Sequence, residues 1–92
     1  MSEKYQYPLP DGLKTSEIVD VINFYNQIEK AYENSRGVSS TELVDSFNKF
    51  RKIIPTKMEQ KQLEDQFKKQ SGYDSFEIIK QAINSDKKMI KC

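Results

Sequence analysis

The chain has 92 residues, of which 15 are lysine or arginine, 14 are aspartate or glutamate, and none is histidine or tryptophan. This length suits one domain with a single modest core, spanning residues 1–92, and leaves no room for a separate catalytic domain. The lack of histidine removes the commonest general acid–base group and the commonest metal ligand. Composition therefore predicts a protein that is not an enzyme and that binds no metal, cofactor or small-molecule substrate.

Cysteine usage and hydropathy bear on the cellular compartment. The one cysteine, Cys92, excludes an intrachain disulfide and is expected to be a surface thiol. No apolar run approaches the roughly 20 residues that span a bilayer, and the N-terminus is polar. We therefore expect a cytoplasmic protein that makes no contact with membranes.

Charge is distributed unevenly along the chain. Residues 1–45 carry four basic and eight acidic side chains, and residues 46–92 carry eleven basic and six acidic ones. The resulting net charges of −4 and +5 indicate either self-association or an acidic partner. The competing interpretation is that two solvated surfaces simply differ in charge.

The first 14 residues are predicted to form an extended arm. Pro8 and Pro10 restrict the residues before them to extended conformations, and Pro10-Asp11-Gly12 is typical of a turn. The side chains of Tyr5 and Tyr7 indicate that this arm packs on the domain.

Apolar residues spaced three and four apart predict a first helix over 15–35. The stripe from Ile18 to Tyr32 is widened by Val19 and Phe24, which indicates a central helix. Gly37 is expected to end this helix in the left-handed conformation.

Two candidate capping boxes predict helices over 39–54 and 56–71. In each, a hydroxyl residue precedes a glutamate by three positions, as in Ser39 with Glu42. Pro55 ends the second helix and Gly72 ends the third. The expected buried residues of the second helix are Leu43, Val44, Phe47, Phe50 and Ile54, and those of the third are Met58, Leu63 and Phe67.

A fourth helix is predicted over 74–85, with Asp74 and Glu77 at its cap. Its buried face is expected to consist of Phe76, Ile79 and Ile83, with Ile78 and Ala82 beside them. The polar, lysine-rich residues 86–92 are expected to fray.

Together these elements predict an all-α fold: an extended N-terminal arm and four short helices packed as two antiparallel helical hairpins. The two hairpins share a pattern of glycine, cap and apolar residues at an offset of 35 positions. That pattern indicates either an internal duplication or the ordinary punctuation of helix ends.

The best candidate for a binding site is the basic segment of residues 49–69 around Pro55. Clustered lysine and arginine side chains are what phosphate recognition needs, but interleaved acids and a pI of 7.8 make nucleic acid the weaker interpretation. Exposed aromatic residues at helix junctions favour a protein partner. The predicted partner-binding residues are Arg51, Lys52, Lys57, Lys61 and Tyr73.

Several motifs occur in order along the chain: Tyr5-x-Tyr7-Pro8, then Phe50-Arg51-x-x-Ile54-Pro55-Thr56-Lys57-x-Glu59, then Phe67-x-x-Gln70-Ser71-Gly72-Tyr73. Over residues 5–83 this set resembles Uncharacterised Protein Family 0223, small cytosolic proteins of low-GC Gram-positive bacteria. The chain departs from the family pattern at Leu13, where members usually have tryptophan. The resemblance implies a compact all-helical fold with no assigned activity and no assigned catalytic residues.

Three function classes remain open. The leading hypothesis is a non-enzymatic protein-interaction or adaptor domain, with a homodimer as one option. The second is a nucleic-acid-associated regulator that uses the basic segment, and the third is an enzyme built on carboxylates and lysines.

Overall fold

The computed structural model describes residues 7–84 and 87–91. Four helices account for most of these residues, and two short strands pair with each other. The elements are α1 (Thr15–Glu33), β1 (Val38–Ser39), α2 (Ser40–Ile53), α3 (Lys57–Ser71), α4 (Ser75–Asn84) and β2 (Met89–Ile90). The all-α class predicted from the sequence is confirmed, with the small sheet as an addition.

Side-chain caps begin three of these helices at the predicted positions. The Ser39 hydroxyl accepts a hydrogen bond from the backbone N–H of Glu42 at 3.5 Å, and the Thr56 hydroxyl accepts one from that of Glu59 at 3.4 Å. The Asp74 carboxylate caps α4 in the same way at 3.2 Å. Each cap satisfies a backbone donor that has no partner within the first helical turn.

The central helix of the core is α1, as predicted, although Val19, which the pattern adds to its apolar stripe, is 58% exposed. It packs along α2, which gives the first of the two expected hairpins. Because α4 contacts α2 and α1 as well as α3, the second hairpin shares one core with the first. Within α3 only Leu63 and Phe67 are buried, whereas Met58 is 74% exposed although its spacing predicts an inward position.

The α4 helix presents a different face to the core from the one its sequence predicts. Phe76 is 63% exposed and Ile83 is 61% exposed, so the prediction that they are buried is wrong. The buried stripe includes Ile79 and has Ser75 and Ala82 at its two ends. Both stripes have helical spacing, and the small side chains of the observed one let α4 approach its neighbours closely.

The N-terminal arm packs on α1, as predicted. The Tyr7 ring stacks on that of Tyr25 with the centroids 5.6 Å apart, and the Tyr7 hydroxyl donates to the Glu29 carboxylate at 2.8 Å. The Tyr25 hydroxyl donates to the Pro8 carbonyl oxygen at 2.9 Å. Tyr5 lies outside the described residues.

The C-terminal segment corrects a prediction. Instead of fraying, residues 89–90 form β2, which pairs antiparallel with β1 so that Ile90 faces Val38. Ile90 is 1% exposed and contributes to the core. The burial of Ile90 and the pairing of two residues with β1 hold this segment in place. Asp86 and Cys92, which belong to the same prediction, lie outside the described residues.

Gly37 has a different role from the one its sequence context predicts. The α1 helix ends at Glu33 with Asn34 as its C-cap in an extended conformation, three residues before Gly37. Gly37 has a φ of 78°, and a Cβ atom there would collide with the backbone carbonyl of Ile90. Its lack of a side chain therefore admits β2 to the sheet. By contrast, Gly72 ends α3 in the left-handed conformation, as predicted.

Candidate functional site

An open groove of about 1170 Å³ runs between α2, α3 and the start of α4, and we call it the α2–α4 groove. Its walls come from the second half of α2 and most of α3. Pro55 stands between those two helices, where the last turn of α2 meets the first turn of α3. The groove therefore collects side chains from both sides of the proline.

The basic end of the groove holds four of the five residues that the sequence predicts as partner-binding: Arg51, Lys52, Lys57 and Lys61. All four are exposed. Among the residues that the structure describes, none of the three lysines forms an ion pair with a carboxylate. The structure thus brings these cations together on one surface and leaves the lysines available to a partner.

Arg51 is held against the wall of the groove. Its Nη2 atom donates to Asn48 Oδ1 at 2.8 Å, and its guanidinium carbon lies 5.0 Å from the centroid of the Phe47 ring. A guanidinium at this distance from an aromatic face is attracted by the ring quadrupole. This places a fixed cation beside the apolar surface of the groove.

A second cavity of about 370 Å³ adjoins this space, and we include it in the groove as its apolar end. It shares Phe47, Glu64 and Phe76 with the basic part and adds Ile79 and Ile83. Phe76 and Ile83 are the two α4 side chains that turn away from the core. Adjacent exposed apolar side chains of this size are typical of an interaction surface.

Glu64 lies half-buried where the two cavities meet. Burial raises the pKa of its carboxyl, and Asp65 and Asp74 add to the rise, while Ser75 and Lys61 oppose it. The Ser75 residue is 1% exposed, and its hydroxyl lies near this carboxylate without completing a hydrogen bond in the described structure. The middle of the groove therefore disfavours a second buried negative charge.

Two other carboxylates of the groove are already paired with lysines. Asp45 lies 3.6 Å from the Lys49 ammonium, and Asp74 lies 3.3 Å from that of Lys68. These pairs neutralise the carboxylates locally, although each contributes little stability at an exposed position. The net positive charge is consequently concentrated at the basic end.

Tyr73, the fifth predicted partner-binding residue, does not line the groove. Its ring stacks on that of Tyr32 with centroids 4.5 Å apart, and its hydroxyl donates to the Glu33 carboxylate at 2.6 Å. This hydrogen bond, followed by partial burial and the charge of Glu33, raises the pKa of Tyr73 to about 12. The described contacts of Tyr73 hold the start of α4 against α1.

Two further features follow from residues 7–84 and 87–91. No three or more Cys, Asp or Glu side chains in these ranges are grouped so that they could hold a metal ion. None of the helices described there is both long and apolar enough to cross a bilayer.

The sequence predicts the basic end of the groove but not its apolar end. It places Phe76 and Ile83 in the core, because large apolar side chains are usually buried. The signal that identifies the alternative is the spacing of Ser75, Ile78, Ile79 and Ala82, which matches an inward helical stripe equally well. Hydrophobicity alone does not distinguish the two stripes.

Comparison with known proteins identifies relatives along nearly the whole chain. Residues 4–91 match the uncharacterised protein family UPF0223. The UPF0223 protein YktA of Bacillus subtilis is 42% identical over 88 residues, which cover 96% of this chain and 98% of the relative. The UPF0223 protein OB1419 of Oceanobacillus iheyensis is 40% identical over 87 residues (95% and 97%), and YfdD of Lactococcus lactis is 39% identical over 90 residues (98% and 95%). None of these names states an activity. The chain belongs to the uncharacterised protein family UPF0223.

Proposed function

We propose that the protein is a non-enzymatic protein-interaction domain of the cytoplasm that binds its partner in the α2–α4 groove. One observation carries the proposal: exposed apolar side chains and unpaired lysines line one continuous concave surface. A cytoplasmic location is supported by the single cysteine, because secreted domains of this size usually depend on disulfides.

The apolar end supplies the binding free energy in this proposal. Phe76 and Ile83 are each more than half exposed in the described structure. Covering them with apolar groups of a partner would contribute about 1–2 kcal/mol for each side chain. The cations beside them would add orientation and a faster association rate more than affinity.

A small-molecule substrate fits this surface less well than a protein does. Ligand sites are usually clefts of roughly 300–1,000 Å³ that enclose most of the ligand. The α2–α4 groove is slightly larger than that range and is open to solvent. The absence of histidine from the sequence also removes the commonest general acid–base group.

The alternative function, a nucleic-acid-associated regulator, is favoured by the convergence of Arg51, Lys52, Lys57 and Lys61 at the basic end. Two features weigh against it. Glu64 and Asp65 line the same groove, and Glu59 already occupies the N-terminus of α3, where its carboxylate accepts a hydrogen bond from the Thr56 hydroxyl at 2.9 Å. A phosphate at this helix end would meet a negative charge that is already in place.

Site-specific photocrosslinking in living cells tests the proposal. A photoreactive phenylalanine analogue at Phe76 places the reactive group at the apolar end of the groove. The matched control is the same analogue at Val19, which is 58% exposed on α1 and lines none of the described cavities. We expect discrete protein adducts from position 76 that are absent from position 19, because a groove-bound partner covers only the first.

Charge reversal makes the same experiment specific for the groove. Adducts from position 76 should decrease at least about five-fold when Lys57→Glu and Lys61→Glu are introduced together, since both lysines line the basic end. Equal adducts from positions 76 and 19, or no protein adduct from either, would contradict a protein-binding groove. Salt-sensitive binding of mixed-sequence RNA or DNA that is lost in the same variant would instead support the alternative.

A further inference from the structure

We infer that the occupant of the α2–α4 groove is an acidic amphipathic helix of a different protein. The inference rests on the proposed function and specifies its partner class. Its apolar side chains would contact Phe47, Phe76 and Ile83, and its carboxylates would lie beside the cations of the basic end. Four features of the described residues lead to this assignment.

The walls of the groove favour a helix over an extended strand. Extended peptides bind by adding to an exposed sheet edge, whereas amphipathic helices lie in grooves between helices. The α2–α4 groove is lined by residues of α2, α3 and α4 and the connections between them, and by none from β1 or β2. The groove therefore has no strand edge with which the backbone of an extended ligand could pair.

The position of the cations sets the spacing of side chains on the partner. Lys57 precedes Glu64 by seven residues of α3, which corresponds to about 10 Å along the helix axis. Glu64 marks the junction with the apolar cavity. A bound helix that lies along α3 with its apolar residues in that cavity would thus place its carboxylates about two turns away, seven or eight positions along its sequence.

The charges of the groove select an acidic partner. Asp45 and Asp74 are paired with lysines of this chain. The four cations of the basic end have no ion-pair partner among the described residues, and they outnumber the two unpaired carboxylates of the groove, Glu64 and Asp65. The unpaired charge at the basic end is therefore positive. Carboxylates of a partner would complement it, and lysines there would be repelled.

A second copy of the chain fits this requirement poorly. The acidic half of the protein would have to supply the carboxylates, yet several are committed to internal hydrogen bonds. Glu29 accepts from Tyr7, Glu33 accepts from Tyr73, and Glu17 accepts from the backbone N–H of Lys14 at 2.8 Å. Freeing them would cost the hydrogen bonds that hold the arm and α4 on α1.

Designed peptides test the inference directly. The probe is a helical peptide with leucines at positions i and i+4 and glutamates at i+7, i+8 and i+11. Two control peptides accompany it. One has the same composition but carries the glutamates on the opposite face of the helix, and the other has the same length but carries lysines in place of the glutamates. We expect amide chemical-shift changes confined to the groove and a dissociation constant at least about five-fold lower for the probe than for either control.

Two substitutions of opposite sign sharpen this test. Lys61→Gln should weaken binding of the probe about three-fold, and Asp65→Asn should strengthen it about three-fold, because the two residues line the same groove with opposite charge. Both side chains are exposed, so neither change should disturb the fold. A neutral analogue of the probe should respond to neither substitution.

The outcomes separate this inference from the proposed function. Equal binding of the probe and the control with displaced glutamates would overturn the inference. So would concentration-dependent shifts of groove amides without peptide, which would identify a second copy as the occupant. If photocrosslinking from position 76 captures a protein segment that is neither helical nor acidic, the protein-interaction function stands and the partner class is wrong.

Discussion

Two aromatic regions of this molecule differ in how completely their polar groups are satisfied. The tyrosine cluster, made of Tyr7, Tyr25, Tyr32 and Tyr73 around Phe67, joins the arm, α1, α3 and the start of α4. Each of its hydroxyls makes hydrogen bonds within the chain. The α2–α4 groove contains phenylalanines instead, together with three lysines that have no ion-pair partner among the described residues: Lys52, Lys57 and Lys61.

The difference separates aromatic residues that hold this fold together from those available to a partner. A buried tyrosine stabilises a structure only if its hydroxyl has a hydrogen-bond partner. Tyr25 is 0% exposed, and its hydroxyl donates to the Pro8 carbonyl oxygen. Phe76 has no such requirement, and its exposure leaves apolar surface in contact with water. The polar groups of the tyrosine cluster are satisfied within the chain, whereas the groove leaves apolar side chains and cations exposed to solvent.

The largest expected effect comes from comparing Phe67→Ala with Phe76→Ala. Phe67 is 0% exposed and stacks on Tyr25 with centroids 4.7 Å apart, so its removal leaves a cavity. We expect Phe67→Ala to lower the free energy of unfolding by about 3–5 kcal/mol. Phe76→Ala should lower it by no more than about 0.5 kcal/mol, because that ring is 63% exposed.

Urea denaturation followed by circular dichroism measures both values. Total stabilities of small domains are about 5–15 kcal/mol, so Phe67→Leu provides a milder variant if the alanine protein is unfolded. Similar losses for positions 67 and 76 would show that Phe76 supports the fold and would remove the distinction between the two regions.

An intermediate effect is expected from two glycine substitutions, which test whether β2 closes the core. Gly37 and Gly72 have nearly the same φ, 78° and 81°, but only at Gly37 would a Cβ meet the backbone of Ile90. Gly72→Ala should cost about 1 kcal/mol for the left-handed conformation alone. Gly37→Ala should cost more, by up to the roughly 1.5–3 kcal/mol that burial of an isoleucine contributes.

Hydrogen exchange locates the difference between the glycine variants. In Gly37→Ala the amide protons of Val38 and Ile90 should lose protection, because β1 and β2 can no longer pair as closely. The same protons should remain protected in Gly72→Ala. Equal stability losses with unchanged exchange would mean that β2 does not depend on Gly37.

The smallest expected effect concerns the pH at which Tyr73 ionises. Its hydrogen bond to Glu33, with partial burial, raises the pKa of Tyr73 from 10.0 to about 12. Because the raised pKa belongs to the folded state, this stabilisation is complete below pH 10.0 and is lost as the pH rises through about 12. In Glu33→Gln the pKa of Tyr73 should move back toward 10.0.

Tyrosinate absorbance provides this measurement. The difference between titrations of the unmodified protein and of Tyr73→Phe isolates the one phenol from the other tyrosines. A Tyr73 pKa that does not change in Glu33→Gln would contradict the assigned hydrogen bond between α1 and the segment before α4.

The sequence by itself determined the class of the fold and most of its helix ends, although not the C-terminal end of α1. Caps at Ser39, Thr56 and Asp74, the stop at Pro55 and the left-handed end at Gly72 act within one or two turns, so local residues specify them. The proximity of the cations on either side of Pro55 follows from the same local information, since a short connection keeps the two helix ends together.

Only the tertiary structure decided which face of α4 is buried, where the C-terminal segment lies and what Tyr73 contacts. Both stripes of α4 satisfy the helical period, and the choice between Phe76 and the small Ser75 depends on how closely α1 and α2 approach. The position of Ile90 depends on Gly37, 53 positions earlier in the sequence. These features arise from contacts between distant segments, and periodicity along the chain contains no information about such contacts. For that reason the basic end of the groove could be predicted from the sequence, and its apolar end could not.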